Sequence, residues 1–155
     1  MGLDIFFHKR TYNQHNPNEP ISIDEDGEKH YEEMPEIAYF RKVNFLMSFF
    51  DYYEKCEDEG NMEGDCCYVP ISEDEISALI DACSETIKRR KEIEKAVKEG
   101  IDIDDLPLQP ESGFFFGSTD YDEWFFEDVK EVKKKFKAIL SDLKDDEEVF
   151  MYAWW

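Results

Sequence analysis

Along the chain, apolar residues first alternate and later repeat with helical spacing. Leu3, Ile5 and Phe7 share one face of a strand predicted over residues 3–9, and Asp4, Phe6 and His8 take the other. A polar loop follows from Lys9 to Pro20. Ile21-Ser22-Ile23 then reads as a short strand entering the turn Asp24-Glu25-Asp26-Gly27, where glycine supplies a positive φ. Over residues 36–56 the spacing predicts a helix, with Pro35 in its first turn. Ile37, Phe40, Met47 and Phe50 fall on one face, and Tyr39, Leu46, Phe49 and Tyr53 on its neighbour. A polar strip of Arg41, Asn44, Ser48 and Asp51 remains between them.

A short strand is expected over residues 66–70, and a second helix from 73 to 99. Ser72 and Glu75 form a capping box ahead of that helix, and Gly100 ends it. Its stripe is Ile76, Leu79, Ile80, Cys83 and Ile87. Beyond Ile87 only Ile93 and Val97 stand among charges, so that half is expected to project. Residues 101–112, with Pro107 and Pro110, read as a linker. Residues 113–117 read as an apolar strand. Ser118 or Thr119 is expected to cap a third helix with the stripe Phe125, Val129, Val132, Phe136, Ile139 and Leu143. Asp145-Asp146-Glu147 breaks it, and residues 148–155 form a last strand ending in two tryptophans. Burial against the body or a second copy is expected for Trp154 and Trp155. The sum is a single α+β domain over residues 1–155. Three main helices pack on a small, mainly antiparallel sheet that includes the N- and C-terminal strands.

Composition narrows the partners. The 155 residues carry 18 Lys and Arg against 39 Asp and Glu, a net charge of -21. Phosphates would be repelled, which argues against direct binding of nucleic acid and of anionic membranes. Aromatic residues make up 15%, too many for a disordered acidic tail. The opening residues show no basic, apolar leader, and no apolar run reaches the roughly 18 residues of a membrane span, so the expected compartment is the cytoplasm. Cys56, Cys66, Cys67 and Cys83 lack Cys-x-x-Cys spacing, and the histidines are scattered. Reduced, partly buried thiols are expected, with no metal and no cofactor. The Asp24 acids do not make a calcium loop, because Pro35 stands where the closing Glu belongs.

Two regions could carry function. One is a polar pocket of Tyr39, Arg41, Asn44, Ser118, Thr119, Tyr121, Asp122 and Glu123, in which packed helices would bring Arg41 to Asp122. No histidine or lysine is spaced to activate its hydroxyls, so a buried ion pair and a helix cap fastening the fold is the favoured account. The second is an acidic surface of Glu54, Glu57, Asp58, Glu59, Glu63 and Asp65. Residues 51–65 hold seven acids and one lysine. The basic run Lys88-Arg89-Arg90-Lys91 is expected to neutralise the chain's own acids.

Three blocks also resemble a family of small acidic proteins of phages, prophages and gut bacteria. They are Met1-Gly2-Leu3-Asp4, Tyr39-Phe40-Arg41-Lys42 with Asn44, and Gly113-Phe114-Phe115-Phe116-Gly117-Ser118-Thr119-Asp120-Tyr121-Asp122-Glu123-Trp124. This chain departs from the family where Phe40 replaces a common Trp, and where a helix histidine near Met47 is missing. The resemblance implies a mobile-element origin and no reaction. The leading expectation is a non-catalytic module that binds a protein, with a basic partner favoured and nucleic-acid mimicry as its sharpest form. The alternatives are a small enzyme or ligand-binding domain centred on Arg41, Tyr121 and Asp122, and a structural homodimer built on the tryptophan tail.

Overall fold

The computed structural model describes residues 2–60, 67–113 and 116–155. In chain order its elements are β1 (Asp4–Thr11), β2 (Ser22–Ile23), β3 (Lys29–His30), β4 (Glu36–Arg41), α1 (Phe45–Phe49), α2 (Tyr52–Asp58), β5 (Val69–Ile71), α3 (Glu73–Lys88), α4 (Arg90–Glu99), α5 (Glu123–Asp142) and β6 (Glu147–Trp154). The fold is α+β. Its main sheet runs β4-β1-β6-β5, every neighbouring pair antiparallel, while β2 and β3 form a separate hairpin. Strands from near the two ends of the chain therefore lie side by side, as the two alternating segments imply. β1 and β6 pair without interruption from Asp4↔Trp154 to Thr11↔Glu147.

The inner face of this sheet is apolar and fully covered. Ile5 and Phe7 from β1, Ala38 and Phe40 from β4, Val69 and Ile71 from β5, and Val149, Met151 and Ala153 from β6 are all buried. α5 lies beneath them with Phe125, Phe126, Val129, Val132, Phe136 and Ile139 buried, which adds Phe126 to the predicted stripe and leaves out Leu143, a half-buried residue just past the helix end. Phe136 is the hub. Its ring stacks on Phe40 at 6.0 Å and meets Phe7 edge-on at 4.9 Å. Burying a side chain of this size contributes about 2 kcal/mol. α3 packs on α5 through Ile76, Leu79, Ala82 and Cys83, opened by the predicted Ser72–Glu75 capping box.

Several expectations are corrected. Residues 36–41 are a strand, with Ala38 and Phe40 buried against exposed Tyr39 and Arg41. A segment apolar on two adjacent helical faces also alternates, and its aromatic residues favour the sheet. Pro35 precedes β4, and its carbonyl accepts the Lys9 N–H at 3.1 Å. Lys42 (φ 58°) and Asp51 (φ 50°) adopt left-handed backbone, and the chain bends there into two short helices. The second predicted helix breaks at Arg89 into α3 and α4. Thr86 and Ser84 bond back to the carbonyls of Ala82 and Ile80, a pattern that bends helices. The bend lets α4 bury Ile93 completely, so this half does not project.

Around residues 113–117 the described residues Gly113, Phe116 and Gly117 are in no strand, and Phe114 and Phe115 lie outside the described residues. Phe116 donates back to the Gly113 carbonyl at 3.1 Å, and Gly117 takes φ 89°. A Cβ on Gly113 would stand 2.7 Å from the Phe116 ring, so this turn requires glycine. Asp122, not Ser118 or Thr119, caps α5, accepting the Phe125 N–H at 3.0 Å. Of the terminal pair, Trp155 packs edge-on to Tyr52, Tyr53 and Phe116, whereas Trp154 is 63% exposed. The predicted linker is irregular but pinned, with Leu106 and Leu108 in the core. Cys56, Cys67 and Cys83 are buried free thiols, and Cys66 lies outside the described residues.

One polar group ties α2 to the sheet. The buried Tyr52 hydroxyl accepts the N–H groups of Cys67 (3.2 Å) and Ala153 (3.0 Å) and donates to the Cys67 carbonyl (2.7 Å). Burial pushes its pKa well above the ordinary tyrosine value. Tyr52→Phe leaves two backbone donors unsatisfied in the core. It should destabilise the protein by about 2 kcal/mol, read as a lower urea midpoint with an unchanged slope.

Candidate functional site

Two grooves contain the residues that the sequence singles out. The first, about 220 Å³, lies where the turn after β4 meets the start of α5. Arg41 and Lys42 form one wall, Ser118, Asp120, Asp122 and Asp128 the other, with Trp124 at the rim. Of the predicted pocket, Arg41, Asn44, Ser118 and Asp122 do line it; Tyr39, Thr119, Tyr121 and Glu123 do not. Tyr39 sits on the outer face of the sheet and donates its hydroxyl proton to Asp4. The Tyr121 hydroxyl donates to the Gln109 side chain at 3.1 Å. Thr119 and Glu123 are exposed.

The roles inside this groove are largely structural. Asn44 is buried and clamps three backbone groups. Its amide donates to the carbonyls of Phe116 (3.1 Å) and Ser118 (2.9 Å), and its oxygen accepts the Glu111 N–H (3.1 Å). Arg41 ends a strand and pairs with Asp4 at 3.5 Å, half exposed, rather than crossing a helical core. The Ser118 hydroxyl accepts the Asp120 N–H at 3.0 Å. Among the described residues that line the groove there is no histidine or cysteine; its ionisable side chains are Arg41, Lys42, Asp120, Asp122 and Asp128.

Asp128 was not legible as a site residue, although it stands three residues after Phe125 and four before Val132, at the margin of the buried stripe. Burial, then the carboxylates of Glu131, Asp122 and Glu127, push its pKa up to about 6. Among the described residues it has no hydrogen bond or ion pair.

The second groove is larger, about 470 Å³, and sits between the C-terminal end of α2, β5, the start of α3 and the start of β6. Pro70, Ile71, Leu143 and Val149 supply its apolar lining. Six carboxylates surround it (Asp58, Glu59, Glu73, Glu75, Glu147 and Glu148) against the single cation Lys55. Three of the six are neutralised: Glu75 by Lys55, Glu147 by Lys9 at 3.5 Å, and Glu148 by Arg10 at 2.7 Å. Asp58, Glu59 and Glu73 have no ion pair among the described residues. Of the predicted acidic surface, Asp58 and Glu59 line the groove. Glu54 and Glu57 are exposed on α2, and Glu63 and Asp65 lie outside the described residues. The groove itself was hidden from the sequence, because its floor comes from three separate segments: β5, the residue after α5, and β6.

No family model, curated protein or solved structure matches this chain.

The site is therefore read from its own chemistry. Among the described residues no three His, Cys, Asp or Glu side chains converge to hold a metal, and no helix is long and apolar enough to cross a membrane. The two arginines of the basic run are engaged internally. Arg89 pairs with Glu92 and Asp105, and Arg90 pairs with Glu94 and lies 4.7 Å over the Phe126 ring. What remains for a ligand is unpaired carboxylate beside apolar surface.

Asp128 gives a test of this electrostatic description. Its folded pKa lies above the ordinary 3.8, so the fold is penalised once the carboxyl ionises. This contribution to stability is complete below about pH 4 and is lost as pH rises through about 6. Asp128→Asn should raise the melting temperature at pH 7.5, with the gain vanishing at pH 4 in a pair of thermal melts.

Proposed function

We propose that this protein is a non-catalytic binding module that takes a basic segment of a partner protein. The observation that supports it is the second groove. An apolar floor between α2, β5, α3 and β6 is bordered by Asp58, Glu59 and Glu73, which have no ion pair among the described residues. The floor gives area to bury, and the acids select the sign of the partner. The net charge of -21 adds a field that speeds encounter with a cation and repels phosphate. A partner whose basic surface normally holds nucleic acid suits such a module, which would then act as a mimic. The resemblance to small acidic phage and prophage proteins directs the search toward basic proteins of a bacterial host. The alternative of a small enzyme or ligand-binding domain centred on Arg41, Tyr121 and Asp122 has less support, because Tyr121 bonds to Gln109 and does not line the groove that holds Arg41 and Asp122.

Calorimetric titration with a nine-residue peptide rich in lysine and arginine, at low and at raised salt, tests the reading. Binding should weaken as salt increases, since exposed charges are screened over about 8 Å at physiological ionic strength. Removing three exposed acids together, Asp58→Asn with Glu59→Gln and Glu73→Gln, removes about 1.5 kcal/mol at about 0.5 kcal/mol each. That corresponds to roughly a tenfold rise in Kd. Absence of binding at low salt, or binding indifferent to both salt and the triple change, would sink the proposal.

A further inference from the structure

The outer face of the main sheet is unlike the rest of the surface. Strand register places Asp4 opposite both Arg41 and Trp154, and Phe6 opposite both Tyr39 and Tyr152. Directly paired residues share a face, so two rows of side chains cross β4, β1 and β6 on the side away from α5. The second row continues to Tyr68, just before β5. Its rings are contiguous: Tyr39 to Phe6 at 5.1 Å, Phe6 to Tyr152 at 6.5 Å, and Tyr152 to Tyr68 at 4.9 Å. Trp154, two residues beyond Tyr152 on the same face, is 63% exposed, and Tyr39 is 44% exposed.

Further down, the face is closed. Arg10 bonds Glu32 and Glu148 and lies 5.0 Å over the Phe150 ring, while the His8 ring is bonded to the Met34 carbonyl. The open part is thus a row of four rings with Trp154 in the row beside it. Its charged neighbours Asp4 and Arg41 neutralise one another, and Tyr39 also bonds to Asp4.

In a chain with 37% charged residues, a surface with rings and no surplus carboxylate has the composition of an interface core. Two kinds of ligand stack on such a sheet: nucleobases, and guanidinium groups. Base stacking works with a positive groove that follows the phosphates. Here the arginine beside the rings, Arg41, is already paired with Asp4, and the whole chain carries -21. The same field favours a cation over the electron-rich ring faces. The guanidinium is flat and more weakly hydrated than an ammonium, so it is the better fit to a row of rings.

We infer that the outer sheet face around Trp154, Tyr152 and Tyr39 is a contact surface for arginine side chains of the basic partner, which rests on the binding function proposed above. It deepens that reading by assigning the partner's chemistry: arginine rather than lysine, with the groove taking charge and the sheet taking planar groups.

The test uses fluorescent nine-residue peptides, one alternating Gly and Arg and one alternating Gly and Lys, together with a nine-nucleotide oligothymidylate. Anisotropy is read on the full chain, on Trp154→Ala, on Tyr39→Ala, and on the triple groove variant. Thermal melts establish that each variant is folded. The arginine peptide should bind severalfold tighter than the lysine peptide. Trp154→Ala and Tyr39→Ala should each weaken the arginine peptide about threefold and narrow the gap, leaving the lysine peptide unchanged. Equal binding of both peptides, untouched by either ring variant but weakened by the groove variant, overturns this inference and leaves the proposed function standing. Failure of both peptides to bind any form overturns both. Oligothymidylate binding lost in Trp154→Ala would assign the rings to nucleobases, against this inference. A concentration-dependent dimer in sedimentation, abolished by the same substitution, would assign them to a second copy and equally overturn it.

Discussion

β1 and β6 hold each other through eight consecutive residue pairs, and nearly everything else is placed by that pairing. β1 could form a ribbon with β4 alone, but two strands have no independent stability in water. β6 joins that ribbon to β5, giving a four-stranded face wide enough for α5 to cover. Phe136 then meets Phe7 and Phe40, side chains aligned only once β1 and β4 are in register. The Tyr52 hydroxyl makes the same point with a polar group. Its donors come from Cys67, ahead of β5, and from Ala153 in β6, so α2 is anchored only after the sheet is assembled. Contacts between such distant residues carry a large loop-closure cost, and formation of the sheet is expected to limit the folding rate.

What the sequence revealed divides along physical lines. Single-faced amphipathic segments were legible: β1 and β6 by alternation, α3 by its stripe and capping box, and α5 by its stripe from Phe125 to Ile139. The segment over residues 36–41 was not, because an apolar residue at nearly every position satisfies both periods. What decides between them is tertiary. β1 has an open edge that β4 completes, and that pairing outweighs helix propensity. The break at Arg89 was equally hidden. Ser84 and Thr86 can leave their hydroxyls in water or bond them back, and Ile93 is buried only in the folded chain, so the local pattern does not decide the bend.

The same distinction governs the candidate sites. The excess of acid over residues 51–65 could be read directly, and so could the cap at the start of α3. The apolar floor beneath those acids is assembled from Pro70, Ile71, Leu143 and Val149, which no local pattern relates. Arg41 and Asp122 line one groove but do not form the expected ion pair. Their partners were misassigned because Arg41 was placed on a helix. On a strand it reaches the neighbouring Asp4, and Asp122 is occupied in capping α5.

The distribution of charge links the fold to its proposed use. Cations are spent where they hold elements together: Arg10 joins the segment before β4 to β6 through Glu32 and Glu148, and Lys55 joins α2 to α3 through Glu75. Arg89 ties the bend between α3 and α4 to the loop at Asp105. Since cations are fewer than half the acids, acid must be left over, and self-repulsion makes that surplus destabilising. Asp58, Glu59 and Glu73, without an ion pair among the described residues, surround the larger of the two grooves, while on the ring-bearing face of the sheet Asp4 is paired with Arg41. A basic ligand relieves repulsion at the first surface and meets no uncompensated carboxylate at the second. Binding and folding stability are then coupled through the same charges: a partner that neutralises the groove should also make the protein harder to unfold.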